Sequence, residues 1–190
     1  MTLPALDIVA LMNRYERPLV RYAQSIVGEL DAARDVVQET FIKYVRVSSG
    51  QDATPSAQAA TDTDPSRYVE SWLFTVARNG SLDHLRKFSR IIPMPLPDDR
   101  RSEAAGPDEE LVNRESADWL LRLLDELTPN QREVIRLKFQ NDLSYKEIAD
   151  VTGLSSTNVG FLLHVGLKKL RDLLREAPRD SIPVHYRAAL

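Results

Sequence analysis

Residues 144–171, SYKEIADVTGLSSTNVGFLLHVGLKKLR, decide the fold. A short stretch with helical spacing, SYKEIADVT, opens on Ser144 and Glu147 at capping-box separation. It stops at Gly153, a residue suited to a left-handed helix end. A longer helix follows from about Ser156 to Arg175. Two helices across a tight glycine turn, with Ile148, Ala149, Leu154, Val159 and Leu163 as a small core, have the form of a helix-turn-helix. Such a unit lays the first half of its second helix in a DNA major groove. At about 100° per residue, Val159, Leu162, Leu163, Gly166, Leu167, Leu170, Leu173 and Leu174 share the packing side. Thr157, Phe161, His164, Val165, Lys168 and Arg171 share the other. Lys168 and Arg171 suit phosphates, and Thr157, Asn158 and His164 suit base edges. Phe161 and Val165 are apolar there, which fits either thymine methyls or a protein partner.

Outward from this stretch, nearly everything ordered reads as helix. Thr128-Pro129-Asn130-Gln131 opens another helix with a capping box and proline at its first position. One more covers about 108–126. Residues 89–107 hold four prolines and lose all periodicity, which marks a linker. Before it, Asp64-Pro65 opens a helix to about Lys87, with Tyr68, Val69, Trp72, Leu73, Val76, Leu82 and Leu85 periodic and Gly80 as a weak point. Residues 48–64, small and polar, read as a flexible loop. Asp31 is placed to cap a helix ending near Val47, with Val36, Val37, Thr40, Phe41, Tyr44 and Val45 on its apolar side. Residues 5–28 are also helical, and Pro18 predicts a break into two helices. The expected fold is all-α: a helical domain over 1–88, a linker over 89–107, a helix-turn-helix domain over 108–175 and a tail over 176–190.

The 190 residues carry 25 basic and 28 acidic side chains, a net charge of −3. The total hides a pattern, because 67–92 and 128–175 are each +3 while 93–127 is −6. Two basic blocks around an acidic one suit two surfaces facing a polyanion, and charge alone equally fits chance clustering on solvated helices. With no cysteine, disulfides, thiolate metal sites and a cysteine nucleophile are excluded. The three histidines, at 84, 164 and 185, are too scattered for a zinc site, so no metal or cofactor is expected. No phosphate loop or nucleophile–base pair is present, which argues against an enzyme. No apolar run approaches the roughly 20 residues of a membrane span, and MTLPALDIVALMNRYERP has no basic segment ahead of its apolar stretch. A cytoplasmic protein without membrane insertion is the expectation.

LTPNQREVIRLKFQNDLSYKEIADVTGLSSTNV resembles region 4 of sigma-70 family factors. AARDVVQETFIKYVR resembles region 2.2, and WLFTVARNGSLDHLRK resembles regions 2.3–2.4. Those two blocks in that order resemble an extracytoplasmic-function (ECF) sigma factor. The resemblance implies two helical domains that bind core RNA polymerase and promoter DNA, with DNA opening at the start site. It implies Asp35, Gln38 and Glu39 for the polymerase contact, and Trp72, Arg78, Asn79, Arg86 and Lys87 for the minus-10 element. It implies Ser156, Thr157, Asn158, Phe161, His164, Lys168 and Arg171 for the minus-35 element. Trp72 sits in the apolar period, which suits the core, whereas a separated strand would need its ring exposed. Family members are commonly held by anti-sigma partners, so one is open here, though no segment identifies it. The sequence departs from the family pattern in its longer 48–64 loop and in the few basic residues of its last helix, which has Gly160, Leu162, Val165 and Leu167 where members carry Arg or Lys. The alternative reading is a polymerase-independent helix-turn-helix regulator, which leaves the 32–46 and 72–87 blocks unexplained.

Overall fold

The computed structural model describes residues 7–51, 64–91 and 119–178, and all regular elements among them are helices. They are α1 (Ile8–Val27), α2 (Leu30–Ser48), α3 (Pro65–Ile91), α4 (Pro129–Gln140), α5 (Tyr145–Thr152) and α6 (Ser156–Glu176), with a further helical stretch over 119–125. Of the expected 48–64 loop, Ser48 closes α2 and 52–63 lie outside the described residues, as do most of the proline-rich linker, most of the acidic run and the tail beyond 178. Two compact units emerge: α1–α3 together with Lys146–Leu154, and the remaining residues from 119 onward.

In the first unit, α1, α2 and α3 each pack on the other two. Leu19, Val37, Tyr44, Val69, Leu73 and Phe74 are fully buried there. Tyr22 meets Phe74 edge-on at 5.4 Å, and Tyr44 meets Trp72 edge-on at 6.1 Å. Such edge-to-face pairs direct a positive ring edge onto a negative ring face. Pro18 does not divide α1, which runs through it unbroken. The buried row of Leu11, Tyr15, Leu19, Tyr22 and Ala23 continues on both sides of the proline, so packing outweighs the backbone bond that proline forfeits. Asp7 caps α1 by accepting from the Val9 N–H at 3.0 Å. Gly28, at φ 91°, closes it through the Gln24 carbonyl at 2.8 Å.

Asp31 is not the cap of α2. The helix starts one residue earlier, with Glu29 as its cap residue, and Asp31 bonds Arg34 at 3.2 Å within the first turn. An acid inside the first turn still meets the positive end of the helix dipole. α3 opens as expected, with Asp64 accepting from the Ser66 N–H at 3.0 Å, and it extends past Lys87 to Ile91. Gly80 has a packing reason: a Cβ there would lie 3.2 Å from Val36 Cγ1, so its absence lets α2 and α3 approach. Thr40 and Ser81, both buried, donate to the carbonyls of Val36 and Ala77 at 2.8 Å each.

In the second unit α4 carries the full capping box, with Thr128 and Gln131 exchanging bonds at 3.1 and 3.4 Å and Pro129 at the first position. α4 packs on α6 where Gly166 faces Ile135 and Gln131. Arg132 holds the end of the 119–125 stretch, donating to the carbonyls of Leu124 and Asp125 at 2.9 Å each and Leu127 at 3.3 Å. Its guanidinium also pairs with the Asp125 carboxylate at 2.9 Å. Lys169 of α6 donates to the Glu126 carbonyl. The α4–α5 turn passes through Asp142 at φ 51°, and Lys138 bonds the Leu143 carbonyl at 3.2 Å. α5, which belongs with the first unit, ends as expected at Gly153, with φ 74° and an N–H to the Ala149 carbonyl at 2.8 Å.

Candidate nucleic-acid interface

α6 is positioned by its cap and its packing side. Ser155 accepts from the Asn158 N–H at 3.2 Å, which sets Ser156, Thr157 and Asn158 in the first exposed turn. Val159, Leu163 and Gly166 are buried on the opposite side. Phe161, His164, Lys168 and Arg171 are exposed along the outward side. Every expected minus-35 residue is therefore accessible. Val165 differs from the expectation. It is half-buried, because it lies at the border of the two sides. The stretch Ser155–Arg171 contains no carboxylate and three cations, Lys168, Lys169 and Arg171. That segment attracts a polyanion and repels none. The ring of Tyr145 lies over Gly160, 3.5 Å from where a Cβ would stand.

A second face lies on α3. Arg78, Asn79, Asp83 and Arg86 fall on the side turned away from Leu73 and Ala77 at 100° per residue. Asn79, Arg86 and Lys87 are exposed, and Arg78 is half-buried. Arg86 donates to Asp83 at 2.9 Å, so part of its charge is already answered within the helix. Trp72 is 5% exposed and edge-on to Tyr44. Its ring belongs to the core in this conformation and presents no face to a strand. Sequence reasoning missed a different aromatic pair: His84 and Phe88, one turn apart, lie near-parallel at 6.3 Å, with Phe88 44% exposed. The i,i+4 spacing of two flat side chains was the available signal.

A third face lies on α2. Asp35, Gln38 and Glu39 are all exposed, with only a long 4.0 Å pair between Glu39 and Lys43. Val45, expected inside, is exposed, and so is Ile42. Laid out at 100° per residue, position 42 falls between 35 and 38, opposite Val37 and Tyr44, and position 45 lies just beyond 38. The outward side of α2 thus carries Asp35, Gln38 and Glu39 beside Ile42, with the exposed Arg46 further along the same side.

The perturbed titrations sit apart from these faces. Asp150 is exposed, yet partial desolvation pushes its carboxyl up, against a lowering pull from Lys146 and with a smaller push from Glu147. Burial, aided by Glu70, raises the Tyr15 phenol. Among the described residues no group of three or more His, Cys, Asp or Glu could hold a metal ion, and no helix is long and apolar enough to cross a membrane.

The Sigma-70 region 2 family matches residues 11–91, and the Sigma-70, region 4 family matches residues 117–170. ECF RNA polymerase sigma factor SigL of Mycobacterium tuberculosis is 32% identical over 171 residues, covering 88% of each chain. The chain belongs to the ECF sigma factors. SigE of Mycolicibacterium smegmatis, of the same family, is 32% identical over 175 residues, which is 90% of this chain and 63% of that longer relative. The fold also matches that of the sigma factor RpoE from Bartonella quintana, solved with the anti-sigma factor NepR. That match has a TM-score of 0.62 at 22% identity and covers 90% of this chain and 99% of that one. In this ECF sigma factor the region 2 match spans the outward faces of α2 and α3, and the region 4 match spans α4, α5 and most of α6.

Proposed function

We propose that this ECF sigma factor is a non-enzymatic subunit that carries core RNA polymerase to promoters and helps open DNA there, in the cytoplasm. Residues 1–88 act as the polymerase and minus-10 module, 89–107 as linker, and 108–175 as the minus-35 module. The outward side of α2, with Asp35, Gln38 and Glu39 around Ile42 and Val45 at its margin, fits a polymerase surface that offers cations and apolar groups. Asn79, Arg86 and Lys87, with Arg78, form the minus-10 face, and Trp72 supports it from beneath. Ser156, Thr157, Asn158, Phe161, His164, Lys168 and Arg171 form the minus-35 face. An anti-sigma protein is a further partner that fits the family.

The observation that carries this reading is the open side of α6, carboxylate-free from Ser156 to Arg171, with hydroxyl, amide, imidazole and cationic groups exposed from a helix-turn-helix segment. Each cationic block is small, so each alone holds DNA weakly. Tethered on polymerase, the two act together and their affinities multiply through effective concentration. The test is run-off transcription with core polymerase, with sequencing of the start sites. The expected result is defined starts that require both proteins. Tight sequence-specific gel shifts by the chain alone, unchanged by core polymerase, would favour the polymerase-independent regulator instead.

A further inference from the structure

The most unusual group on the α6 face is Phe161. Its ring is 63% exposed, while the packing side of the same helix is filled by Val159, Leu163 and Gly166. The ring therefore contributes little to the core. On a helix its neighbours are the residues three and four away, here Thr157, Asn158, His164 and Val165. None carries a carboxylate, and Lys168 lies one turn beyond His164. Tyr145, over the adjacent Gly160, adds a second partly exposed aromatic at this end of the helix. The face thus has an apolar point inside a cationic and hydrogen-bonding frame.

A phenyl ring has no donor or acceptor, so it cannot read the edges of guanine, adenine or cytosine. The major groove offers one apolar group, the C5 methyl of thymine. Resting on the proposed minus-35 role of α6, we infer that Phe161 is a specificity residue that selects a thymine in the minus-35 element through that methyl. Thr157, Asn158 and His164 supply polar readout around it, and Lys168 and Arg171 hold the backbone. Sequence preference at this position is then governed by apolar contact, which salt does not screen.

The test uses full-length chain reconstituted with core RNA polymerase and a duplex library randomised across the minus-35 element. Wild type, Phe161→Ala and Phe161→Leu are compared, with thermal melting of each as a folding control. Wild type is expected to enrich thymine at one position; Phe161→Leu retains that preference and Phe161→Ala loses it. Deoxyuridine in place of that thymine removes only the methyl. It should weaken wild-type binding about four-fold, the factor for one buried methyl, and leave Phe161→Ala unchanged. An enriched minus-35 sequence with no uracil-sensitive thymine, or the same thymine preference in Phe161→Ala, overturns the inference while the sigma reading stands. A chain that neither joins core polymerase nor enriches any sequence overturns both. Loss of binding to another protein in Phe161→Ala, with promoter choice unchanged, assigns the ring to a protein partner and also overturns it.

Discussion

Arg86 of α3 is bonded to Asp83 one turn earlier on the same helix, at 2.9 Å. Both side chains are largely exposed, so the pair contributes little to stability. Its weight falls on the charge that α3 presents. Asp83→Asn is expected to strengthen DNA binding by the holoenzyme at low salt and to steepen its salt dependence. The slope of log K against log salt should grow by roughly 0.7–0.9, the value for one added phosphate contact. Filter binding across a salt series measures it. An unchanged slope places Arg86 away from the DNA.

Asp35 and Glu39 are exposed on the outward side of α2, with Glu39 making a long 4.0 Å pair to Lys43. The double variant Asp35→Arg/Glu39→Arg should lose core polymerase in a pull-down. Its unfolding free energy should stay within about 0.5 kcal/mol of wild type, as for other exposed positions. Retained affinity would remove α2 from the interface.

Arg132 satisfies three carbonyls at the end of the 119–125 stretch and pairs with Asp125, with its side chain 17% exposed. Arg132→Ala should destabilise the second unit by about 2–3 kcal/mol, the range for lost charge-assisted bonds. Arg132→Lys should recover little of it, because one ammonium cannot reproduce the planar fork. Hydrogen exchange at amides 119–127 is the local readout, and a protected segment in Arg132→Ala would contradict the assignment.

Gly166 faces Ile135, and a Cβ at 166 would stand 2.9 Å from Ile135 Cδ1. That atom is the flexible end of its side chain, so Gly166→Ala should be nearly neutral. The small repacking strain is offset by the roughly 1 kcal/mol by which alanine exceeds glycine in a helix. Gly166→Val adds further atoms to the same gap and should cost about 1–3 kcal/mol. Urea unfolding of the two variants separates strain from helix propensity. Equal midpoints would mean that α4 and α6 are not in close contact there.

Asp150 has an exposed side chain whose partly desolvated carboxyl is held above its ordinary pKa. A carboxyl with a higher pKa folded than unfolded opposes folding once ionised, and that opposition vanishes below the unfolded pKa. Asp150→Asn should therefore be more stable than wild type near pH 7. The gap should close as the pH falls through the carboxylate range, below about 4. Thermal melts at several pH values check the sign; a gap that widens on acidification would reverse it.

Much of the architecture was legible because helix ends carry chemistry. Thr128 with Gln131, Pro65 after Asp64, Gly153 and Ser156 each mark a boundary within a residue or so of where it falls. What escaped was decided by packing between helices. Pro18 reads locally as a break, but the buried row from Leu11 to Ala23 carries α1 across it. Val45 looks like core by its residue type and turns out to lie beside Ile42 on an open face. Phe74 and Ala77, among the most buried residues of α3, fell outside the periodic set because three adjacent positions, 72–74, point inward where α1 and α2 both cover the helix. The candidate faces of α2 and α6 were readable from spacing and resemblance. The Asp83–Arg86 pair and the His84–Phe88 pair depend on side-chain conformations that spacing alone leaves open.

Only Gly28 and Glu29 stand between α1 and α2. So short a joint leaves no slack for one helix to swing while its neighbour stays put. A protein that grips the outer side of α2 must therefore carry α1 with it. Because Gly80 brings α3 hard against Val36, the load passes onward to Asn79 and Arg86. Whatever seizes this end of the molecule moves α3 as well, with no separate transmission required.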